Sequence, residues 1–306
     1  MSISLPSDFT NILEQKFEKA AADGELEFNG KGATTEVVHL PHMDVQYTML
    51  PSLMKRPEKG QQKKNPFLEP EPALTIVEDF GKENQFRLVF NKYPVVPCHF
   101  MLLTKEFKSQ DTPLSPEELE AIYSVCKHVG NDWFAFFNCG PESGASQPHK
   151  HVQFMKKPSG EFISFADRLA DSSSSFLPNN KNEPLQNGNL PFAHFVARLP
   201  DGDMTADDLS MYYMSLVSRA ATVLRDNDVT KMSYNFLMTP KWMMVVPRKS
   251  GVYHEKLGLN SCGMLGLFLC KNTQLHDLVK DDGPEQILAE VCFPSTAGQK
   301  SDDYHY

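Results

Sequence analysis

Apolar side chains at helical spacing predict three main helices. The first covers residues 7–22, ahead of Gly24, with apolar positions Phe9, Ile12, Leu13, Phe17 and Ala20. The second begins after Ser115, since a serine cap, a proline at the next position and Glu118 three places on are typical of a helix start. The third opens at Thr205, and one face of it carries Leu209, Tyr212, Tyr213, Leu216, Val217, Ala220 and Leu224.

Short apolar or β-branched runs between these helices predict strands. They cover residues 36–40, 45–50, 73–77, 86–90, 100–104 and 133–137, and a further strand starts near His149. Residues 232–238 and 242–246 predict a hairpin with its turn at 239–241. Beyond the run 260–269 the chain is expected to be helical up to a polar tail at 301–306.

A polar stretch divides the chain. Residues 171–191 are rich in serine, asparagine and proline, a composition typical of an exposed connection. We therefore predict an N-terminal half at 1–170, a linker or insertion at 171–191 and a C-terminal half at 192–306.

Charge and composition narrow the functional classes. The 306 residues carry a formal charge of −9, which disfavours broad binding to nucleic acid because that needs a basic face. No apolar stretch approaches the ~20 residues that span a bilayer, and the N-terminus does not resemble a secretory signal. We expect a cytoplasmic protein, with the nucleus as a second location, that binds neither nucleic acid nor membrane. The six scattered cysteines contain no C-x-x-C pair, which argues against a zinc ribbon or a disulfide scaffold.

The clearest chemical signal lies at residues 148–153, Pro-His-Lys-His-Val-Gln. Side chains alternate along a strand, so His149, His151 and Gln153 are expected to project to one side. A strand face made only of hydrogen-bonding groups is expected to meet solvent or a ligand. A neutral imidazole is a competent nucleophile, because its ordinary pKa of about 6.5 leaves most rings unprotonated at physiological pH.

A polar loop precedes this strand and predicts an anion site. Its residues are Ser143, Gly144, Ala145, Ser146 and Gln147. The glycine permits close backbone approach, and successive N–H groups of such a loop can bind phosphate. The segment lacks the G-x-x-x-x-G-K-[ST] pattern, so it is not a P-loop.

Two histidines two places apart also suit a metal site. His99 or Glu142 could supply a third ligand. Gln153 on the same face is a poor zinc ligand and an effective amide donor to phosphate. The pattern favours phosphate chemistry and leaves the metal site open as an alternative.

The run 144–153, Gly-Ala-Ser-Gln-Pro-His-Lys-His-Val-Gln, resembles the H-x-H-x-Q signature of the transferase branch of the histidine-triad superfamily, in particular the diadenosine tetraphosphate phosphorylases. Further segments similar to that family are 91–94, 99–105, 233–238, 242–248 and 259–261 with Lys271. Hydrolase members carry a third histidine at the position of Gln153, a difference associated with transfer to an acceptor other than water. The resemblance implies an α+β fold with an antiparallel histidine-triad sheet, flanking helices and two halves that form one cleft.

The resemblance also implies a role for each site residue. His151 would carry the nucleotidyl group, Gln153 would bind the phosphate under attack, and His149 would support the site through hydrogen bonds. The residues implied to bind substrate are Lys55, Asn91, Lys92, Asn138, Ser143, Gly144, Ala145, Ser146, Gln147, Asn260, Ser261, Cys262, Leu267 and Lys271.

The implied reaction is phosphorolysis of diadenosine tetraphosphate to ATP and ADP through a nucleotidyl-histidine, with a side reaction of ADP with sulfate. Its partners would be dinucleoside polyphosphates, ATP, ADP and inorganic phosphate, and a divalent cation, Mg²⁺, would accompany the polyphosphate. Two rivals stay open. One is a metal-dependent nucleotide hydrolase, and the other is a nucleotide-binding protein without catalysis.

Overall fold

The computed structural model describes residues 5–28, 32–51, 54, 65–179 and 181–299. Its helices are α1 (Phe9–Ala22), α2 (Pro116–Val129), α3 (Phe165–Asp171), α4 (Ala206–Asp226), α5 (Ser261–Met264), α6 (Thr273–Asp282) and α7 (Pro284–Val291). Its strands are β1 (Thr34–His39), β2 (Asp44–Met49), β3 (Thr75–Phe80), β4 (Phe86–Phe90), β5 (Phe100–Thr104), β6 (Trp133–Cys139), β7 (His151–Lys156), β8 (Phe195–Arg198), β9 (Tyr234–Met238), β10 (Trp242–Pro247), β11 (Val252–Tyr253), β12 (Leu257–Gly258) and β13 (Leu267–Cys270).

An eight-stranded sheet lies at the centre, with strand order β3-β4-β5-β7-β6-β9-β10-β8. Every neighbouring pair is antiparallel. The pairing of β6 with β9, in which Phe136 lies opposite Leu237, joins the N-terminal strands to the C-terminal ones. The two halves of the chain therefore form one continuous sheet, and the predicted α+β class with an antiparallel sheet and flanking helices is confirmed.

The two faces of this sheet carry separate cores because side chains alternate along each strand. Val152 and Phe154 belong to the core that α1, α2 and α4 cover. Met155 belongs to the core of the opposite face, which α5, α7 and the three-stranded sheet β1-β2-β13 help to form. Gln153 shares the parity of Met155, so it projects to this second face.

The predicted helix starts are confirmed. Ser115 and Glu118 form a reciprocal capping box at the start of α2, and Thr205 and Asp208 form another at α4. The predicted hairpin is also confirmed, since β9 and β10 pair with Met243 opposite Met238. Each of these features depends on residues close together in sequence.

Two predicted strands start two residues later in the structure than the sequence pattern indicates. Residues 72–74 form a turn of 3-10 helix, so the predicted strand at 73–77 begins only at Thr75. The helix predicted beyond Leu269 is present as α6 and α7, which extend to Val291. Before them, β13 pairs in parallel with β2 across more than two hundred residues of sequence. The strand expected to start near His149 begins at His151.

Residues 172–179 and 181–191 form neither a helix nor a named strand, and part of this stretch packs against the C-terminal half. Leu185 exchanges backbone hydrogen bonds with Val196, and Leu190 is buried. Arg219 of α4 donates to the carbonyl oxygen of Asn179 at 3.1 Å and pairs with Glu183 at 3.0 Å. Among the described residues, no helix has the length and apolarity required to cross a membrane.

Candidate active site

His151 is the first residue of β7, and its ring is held by the backbone that precedes it. The Nδ1 atom lies 2.9 Å from the carbonyl oxygen of His149. A carbonyl oxygen can only accept, so Nδ1 carries the proton and the neutral ring has its lone pair on Nε2. The main chain of His151 is held as well, because its N–H donates to Gln110 Oε1 at 2.8 Å. His151 therefore has the tautomer that a nucleophilic Nε2 requires.

The side chain of His149 is not placed as predicted. It precedes β7, is fully buried and lines neither cavity at the site. Its Nε2–H donates to the carbonyl oxygen of Thr104 at 2.8 Å, while Nδ1 lies 3.0 Å from the amide nitrogen of Asn65. Burial lowers the pKa of this imidazole. The expected face of three exposed polar side chains is thus reduced to His151 and Gln153, because the chain bends before the strand begins.

Both ring nitrogens of His149 are committed to protein partners, which argues against a metal ion shared with His151. Asn65 Oδ1 accepts from the N–H of Phe67, so its amide nitrogen faces the imidazole. Within the described residues, no group of three or more His, Cys, Asp or Glu side chains is arranged to hold an ion.

Two adjoining cavities open beside His151. The first has a volume of about 280 Å³ and is lined by His151, Phe67 and Met101, among others. The second has a volume of about 370 Å³ and lies between the N-terminal strands and residues 251–269. Four residues line both cavities: Asn91, Tyr93, Ser146 and Gln153. The two halves of the chain therefore enclose one cleft, as predicted.

Most of the residues predicted to bind substrate lie on the walls of this cleft. Those lining the first cavity include Asn91, Lys92, Ser146 and Gln147. Those lining the second include Asn138, Gly144, Ala145, Asn260, Cys262 and Leu267.

Four of the predicted residues are not seen at the cleft. Ser143 and Ser261 are buried and line neither cavity, and Lys271 is exposed after β13 and also lines neither. Lys55 lies outside the described residues.

Ser143 supports the loop rather than facing the cleft. Its hydroxyl donates to the carbonyl oxygen of Gly140 at 2.6 Å, and its N–H points to the same oxygen at 3.3 Å. At Gly144 the backbone has φ +81°, and an added Cβ would lie 2.3 Å from the carbonyl oxygen of Leu259. Only glycine allows the loop to approach the C-terminal half this closely.

A buried polar network lies beneath this loop and consists of Asn138, Asn235, Arg248 and Ser261. Asn138 Oδ1 accepts from Asn235 Nδ2 at 2.9 Å and from the Ser261 hydroxyl at 2.7 Å. Asn235 Nδ2 also donates to the carbonyl oxygen of Ser143 at 2.8 Å. The network thus connects the end of β6 and the polar loop to the C-terminal half.

Arg248 is the charged member of the buried polar network, and it is 1% exposed. Its partners among the described residues are neutral oxygens: Asn235 Oδ1 and the carbonyls of Ser250, Leu259 and Val291. Burial lowers the pKa of this guanidinium, although arginine stays charged in proteins. The guanidinium thus holds Asn235 and three backbone segments together beneath the loop, and the nearby charge of Glu142 acts on it.

Asn91 and Lys92 lie at the mouth of the first cavity. Asn91 Oδ1 accepts from the N–H of Tyr93 at 3.0 Å, so this residue also stabilises a turn. The Lys92 ammonium lies 2.7 Å from Glu71, and this hydrogen bond raises the lysine pKa. Both partners are partly exposed, so the pair is weak and its lysine can be shared with a ligand.

The family models match both halves of the chain. The Ap4A phosphorylase N-terminal domain matches residues 4–164, and the ATP adenylyltransferase C-terminal domain matches residues 188–294. The chain belongs to the Ap4A phosphorylase family. It is therefore an enzyme of the nucleotidyltransferase class, and the family inferred from the H-x-H-x-Q run is confirmed.

Relatives of similar length support this membership in the Ap4A phosphorylase family. The Saccharomyces cerevisiae protein named diadenosine 5',5'''-P1,P4-tetraphosphate phosphorylase 2 is 38% identical over 321 residues, covering 96% of this chain and 97% of the relative. Protein APA1 of the same yeast is 35% identical, covering 99% and 100%. The crystal structure of yeast Ap4A phosphorylase Apa2 in complex with Ap4A matches with a TM-score of 0.85 and 34% identity, over 97% of this chain and 100% of that one.

Several residues at this Ap4A phosphorylase site were missed by reasoning from the sequence. Gln110 bridges the start of β7 to the end of β6, because its Nε2 donates to the carbonyl oxygen of Asn138 at 2.8 Å. Phe67 stands over His151 with ring centroids 5.0 Å apart. Of these residues, Asn235 could have been identified from the sequence, because it is a polar residue inside the otherwise apolar strand β9. Gln110 and Phe67 lie in loops whose path the sequence pattern does not indicate.

Proposed function

We propose that this chain catalyses the phosphorolysis of diadenosine tetraphosphate to ATP and ADP through a nucleotidyl group on His151. The observation that carries the proposal is the hydrogen bond from His151 Nδ1 to the carbonyl oxygen of His149, at 2.9 Å, because it leaves the lone pair of the ring on Nε2. A yeast relative 38% identical bears the name of this activity, and the matching yeast structure is a complex with Ap4A.

In the first step, Nε2 of His151 attacks the α-phosphorus of one adenylyl group. The Nε2–P bond forms, the bond from that phosphorus to the bridging oxygen breaks, and the electron pair leaves with ATP. The imidazole then carries a positive charge, which the carbonyl oxygen of His149 stabilises through the Nδ1–H. His149 thus supports the nucleophile through its backbone, while its buried ring anchors that backbone.

In the second step, an oxygen of inorganic phosphate attacks the same phosphorus. The new P–O bond completes ADP, the P–N bond breaks, and its electron pair returns to Nε2. In both steps negative charge is spread over the phosphoryl oxygens, so N–H donors aimed at them contribute most of the stabilisation. Gln153, which lines both cavities, is the side chain we assign to that position.

Magnesium enters this proposal as a part of the polyphosphate substrate. Mg²⁺ in phosphate sites usually keeps several waters and contacts one or two carboxylates together with phosphate oxygens. Glu142 lines the second cavity, and its Oε2 accepts from the N–H of Gly251 at 3.2 Å. This carboxylate is the one we expect to contact the hydrated cation, which would neutralise charge on the polyphosphate.

The side reaction of ADP with sulfate follows the same two steps. His151 takes the adenylyl group from ADP, and inorganic phosphate leaves. A sulfate oxygen then attacks the phosphorus, the P–N bond breaks with its electron pair returning to Nε2, and adenylyl sulfate is released. We propose this as a slower activity of the same site, because sulfate has the tetrahedral shape of phosphate but is less basic and therefore a weaker nucleophile.

The deciding experiment incubates the protein with diadenosine tetraphosphate and Mg²⁺, with and without inorganic phosphate, and separates the products. We expect equal amounts of ATP and ADP, formed only when phosphate is present. Release of AMP at the same rate without phosphate would show a hydrolase instead. Replacing the substrates with ADP and sulfate tests the side reaction in the same assay.

A second experiment tests the covalent intermediate. The protein is mixed with adenine-labelled diadenosine tetraphosphate in the absence of phosphate, quenched in base and analysed for labelled protein. We expect one acid-labile adenylyl group per chain, absent from His151→Asn and present in His128→Asn, a change at an exposed site on α2. Label that persists in His151→Asn would contradict the assigned nucleophile.

A further inference from the structure

The side-chain amide of Gln153 has a partner that sets its direction. His99 precedes β5, is 3% exposed, and places its Nε2 atom 3.0 Å from Gln153 Oε1. On the other side of the same ring, the backbone N–H of Val95 points to Nδ1 at 3.5 Å. The three groups form a chain of hydrogen bonds that ends at the cleft.

The direction of this chain follows from its backbone end. The N–H of Val95 can only donate, so Nδ1 of His99 accepts and the proton of the neutral ring is on Nε2. That Nε2–H must then donate, so the Gln153 atom that meets it is the acceptor oxygen. The oxygen and nitrogen of a glutamine amide are otherwise hard to tell apart, but here the backbone group distinguishes them.

The orientation of the Gln153 amide determines whether it can bind phosphate. Phosphoryl oxygens accept hydrogen bonds, so Gln153 is useful only when its NH₂ group faces them. With its oxygen held by His99, the amide presents that NH₂ group on its other side. A reversed amide would place its N–H groups against the His99 N–H and its oxygen against the phosphate. We propose that His99 is a positioning residue that selects the phosphate-binding orientation of Gln153, an inference that rests on the proposed phosphorolysis.

The surroundings of His99 tie this orientation to the cleft wall. Its carbonyl oxygen accepts from the N–H of Asn91 at 3.0 Å, and its ring lies 6.3 Å from that of Phe136, centroid to centroid. Asn91 and Tyr93, in the same loop, line both cavities. The loop that forms the wall between the cavities therefore also holds the imidazole that orients Gln153. With both ring nitrogens hydrogen-bonded, His99 is not arranged as the third metal ligand that the sequence left open.

A double-mutant cycle separates positioning from general support of the fold. His99→Phe keeps a ring of similar size but removes the donor to Gln153. We expect kcat for phosphorolysis to fall roughly 10- to 100-fold, as when a partner that orients a metal ligand is lost, with KM changed less than about 3-fold. In a Gln153→Ala background, the same change should lower kcat less than about 2-fold. An equal loss in both backgrounds would overturn the proposal.

Two further variants control for folding. His99→Gln retains a donor, so its kcat should lie between those of the wild type and His99→Phe. This variant provides the comparison with the wild type if the phenylalanine destabilises the chain. His128→Phe makes the same substitution at an exposed position of α2 and should leave kcat unchanged. Thermal unfolding of each variant confirms that folded protein is compared. A kcat for His99→Gln below that of His99→Phe would contradict the proposal.

The tautomer of His99 can be measured without turnover. ¹⁵N NMR of the labelled wild type should show His99 neutral, with its proton on Nε2. A proton on Nδ1 would overturn the positioning proposal even if the enzyme is active. Conversely, wild type that shows the Nε2–H tautomer but no phosphate-dependent turnover would contradict the proposed reaction, while the amide orientation inferred from the tautomer would stand.

Discussion

The cleft has two polar regions that differ in what their hydrogen bonds do. His151 and Gln153 line the cavities, and each uses one end of its side chain for a protein partner. In the buried polar network, Asn138 Oδ1, Asn235 and Arg248 are bonded mainly to one another and to backbone carbonyls. The first region is arranged to meet a ligand, whereas the second holds two chain segments together.

Because of this difference, residues to which the family resemblance assigned the same role have different roles in the structure. Asn138 and Ser261 were both predicted to bind substrate, yet Ser261 donates to Asn138 and lines no cavity. A substitution in the first region should change turnover and leave the free energy of unfolding nearly intact. A substitution in the second should do the reverse, because buried acceptors lose their donors.

The largest effect is expected at the nucleophile. His151→Asn should lower turnover at least about 1,000-fold, because the adenylyl group has no residue to bind. Steady-state kinetics measures this, and urea unfolding should show a change below about 1 kcal/mol. His128→Asn, on the exposed side of α2, serves as the matched control. A His151→Asn protein with near-normal turnover would remove the distinction between the two regions.

The next largest effect is a loss of stability when the buried polar network is disrupted. Arg248→Met removes the guanidinium donor from Asn235 Oδ1 and from the carbonyls of Ser250 and Leu259, and should lower the free energy of unfolding by about 3 kcal/mol or more. Urea unfolding provides the measurement. Arg225→Met, on a side chain that is 62% exposed in α4, should cost less than about 0.5 kcal/mol. Unchanged stability together with lost turnover would place Arg248 among the ligand-binding groups instead.

A smaller effect on stability and on KM is expected at Gly144, where the polar loop contacts the C-terminal half. Gly144→Ala combines a positive φ with a contact at 2.3 Å and should cost about 2 kcal/mol, with a rise in KM as the loop moves from Leu259. Gly160→Ala is a matched control, because φ is +94° there but nothing lies within 4 Å of the added Cβ. The control should show the backbone cost alone, with KM unchanged. Equal KM values in the two variants would mean that the loop position does not matter for binding.

The smallest effect is a dependence of stability on pH. Burial lowers the pKa of His149 in the folded state, so the unfolded chain binds the proton more readily. The stability that this neutral ring provides is present above the unfolded pKa of about 6.5 and is lost as pH falls below it, at up to ~1.4 kcal/mol per pH unit. Urea unfolding between pH 7.5 and 5 should show a shallower slope for His149→Gln than for the wild type. The same slope in both would mean that His149 is not the group that titrates.

The sequence by itself determined the features that depend on near neighbours in the chain. The capping residues of α2 and α4, the hairpin of β9 and β10, and the H-x-H-x-Q run all act over a few residues, so their patterns could be interpreted directly. Alternation along β7 was enough to place His151 and Gln153 on one face. The resemblance of the H-x-H-x-Q run to the diadenosine tetraphosphate phosphorylases was sufficient to identify the family.

Only the tertiary structure decided which polar groups meet the ligand and which are consumed inside the protein. The ring of His149 is hydrogen-bonded to Thr104 and Asn65, and the amide of Gln153 is oriented by His99. These hydrogen bonds join residues that are 45 to 84 positions apart in sequence. A hydrogen-bonding side chain looks the same in a sequence whether its partner is a phosphate or a distant carbonyl. The physical reason is that a buried polar group must be paired, and the fold alone determines which distant group provides the pair.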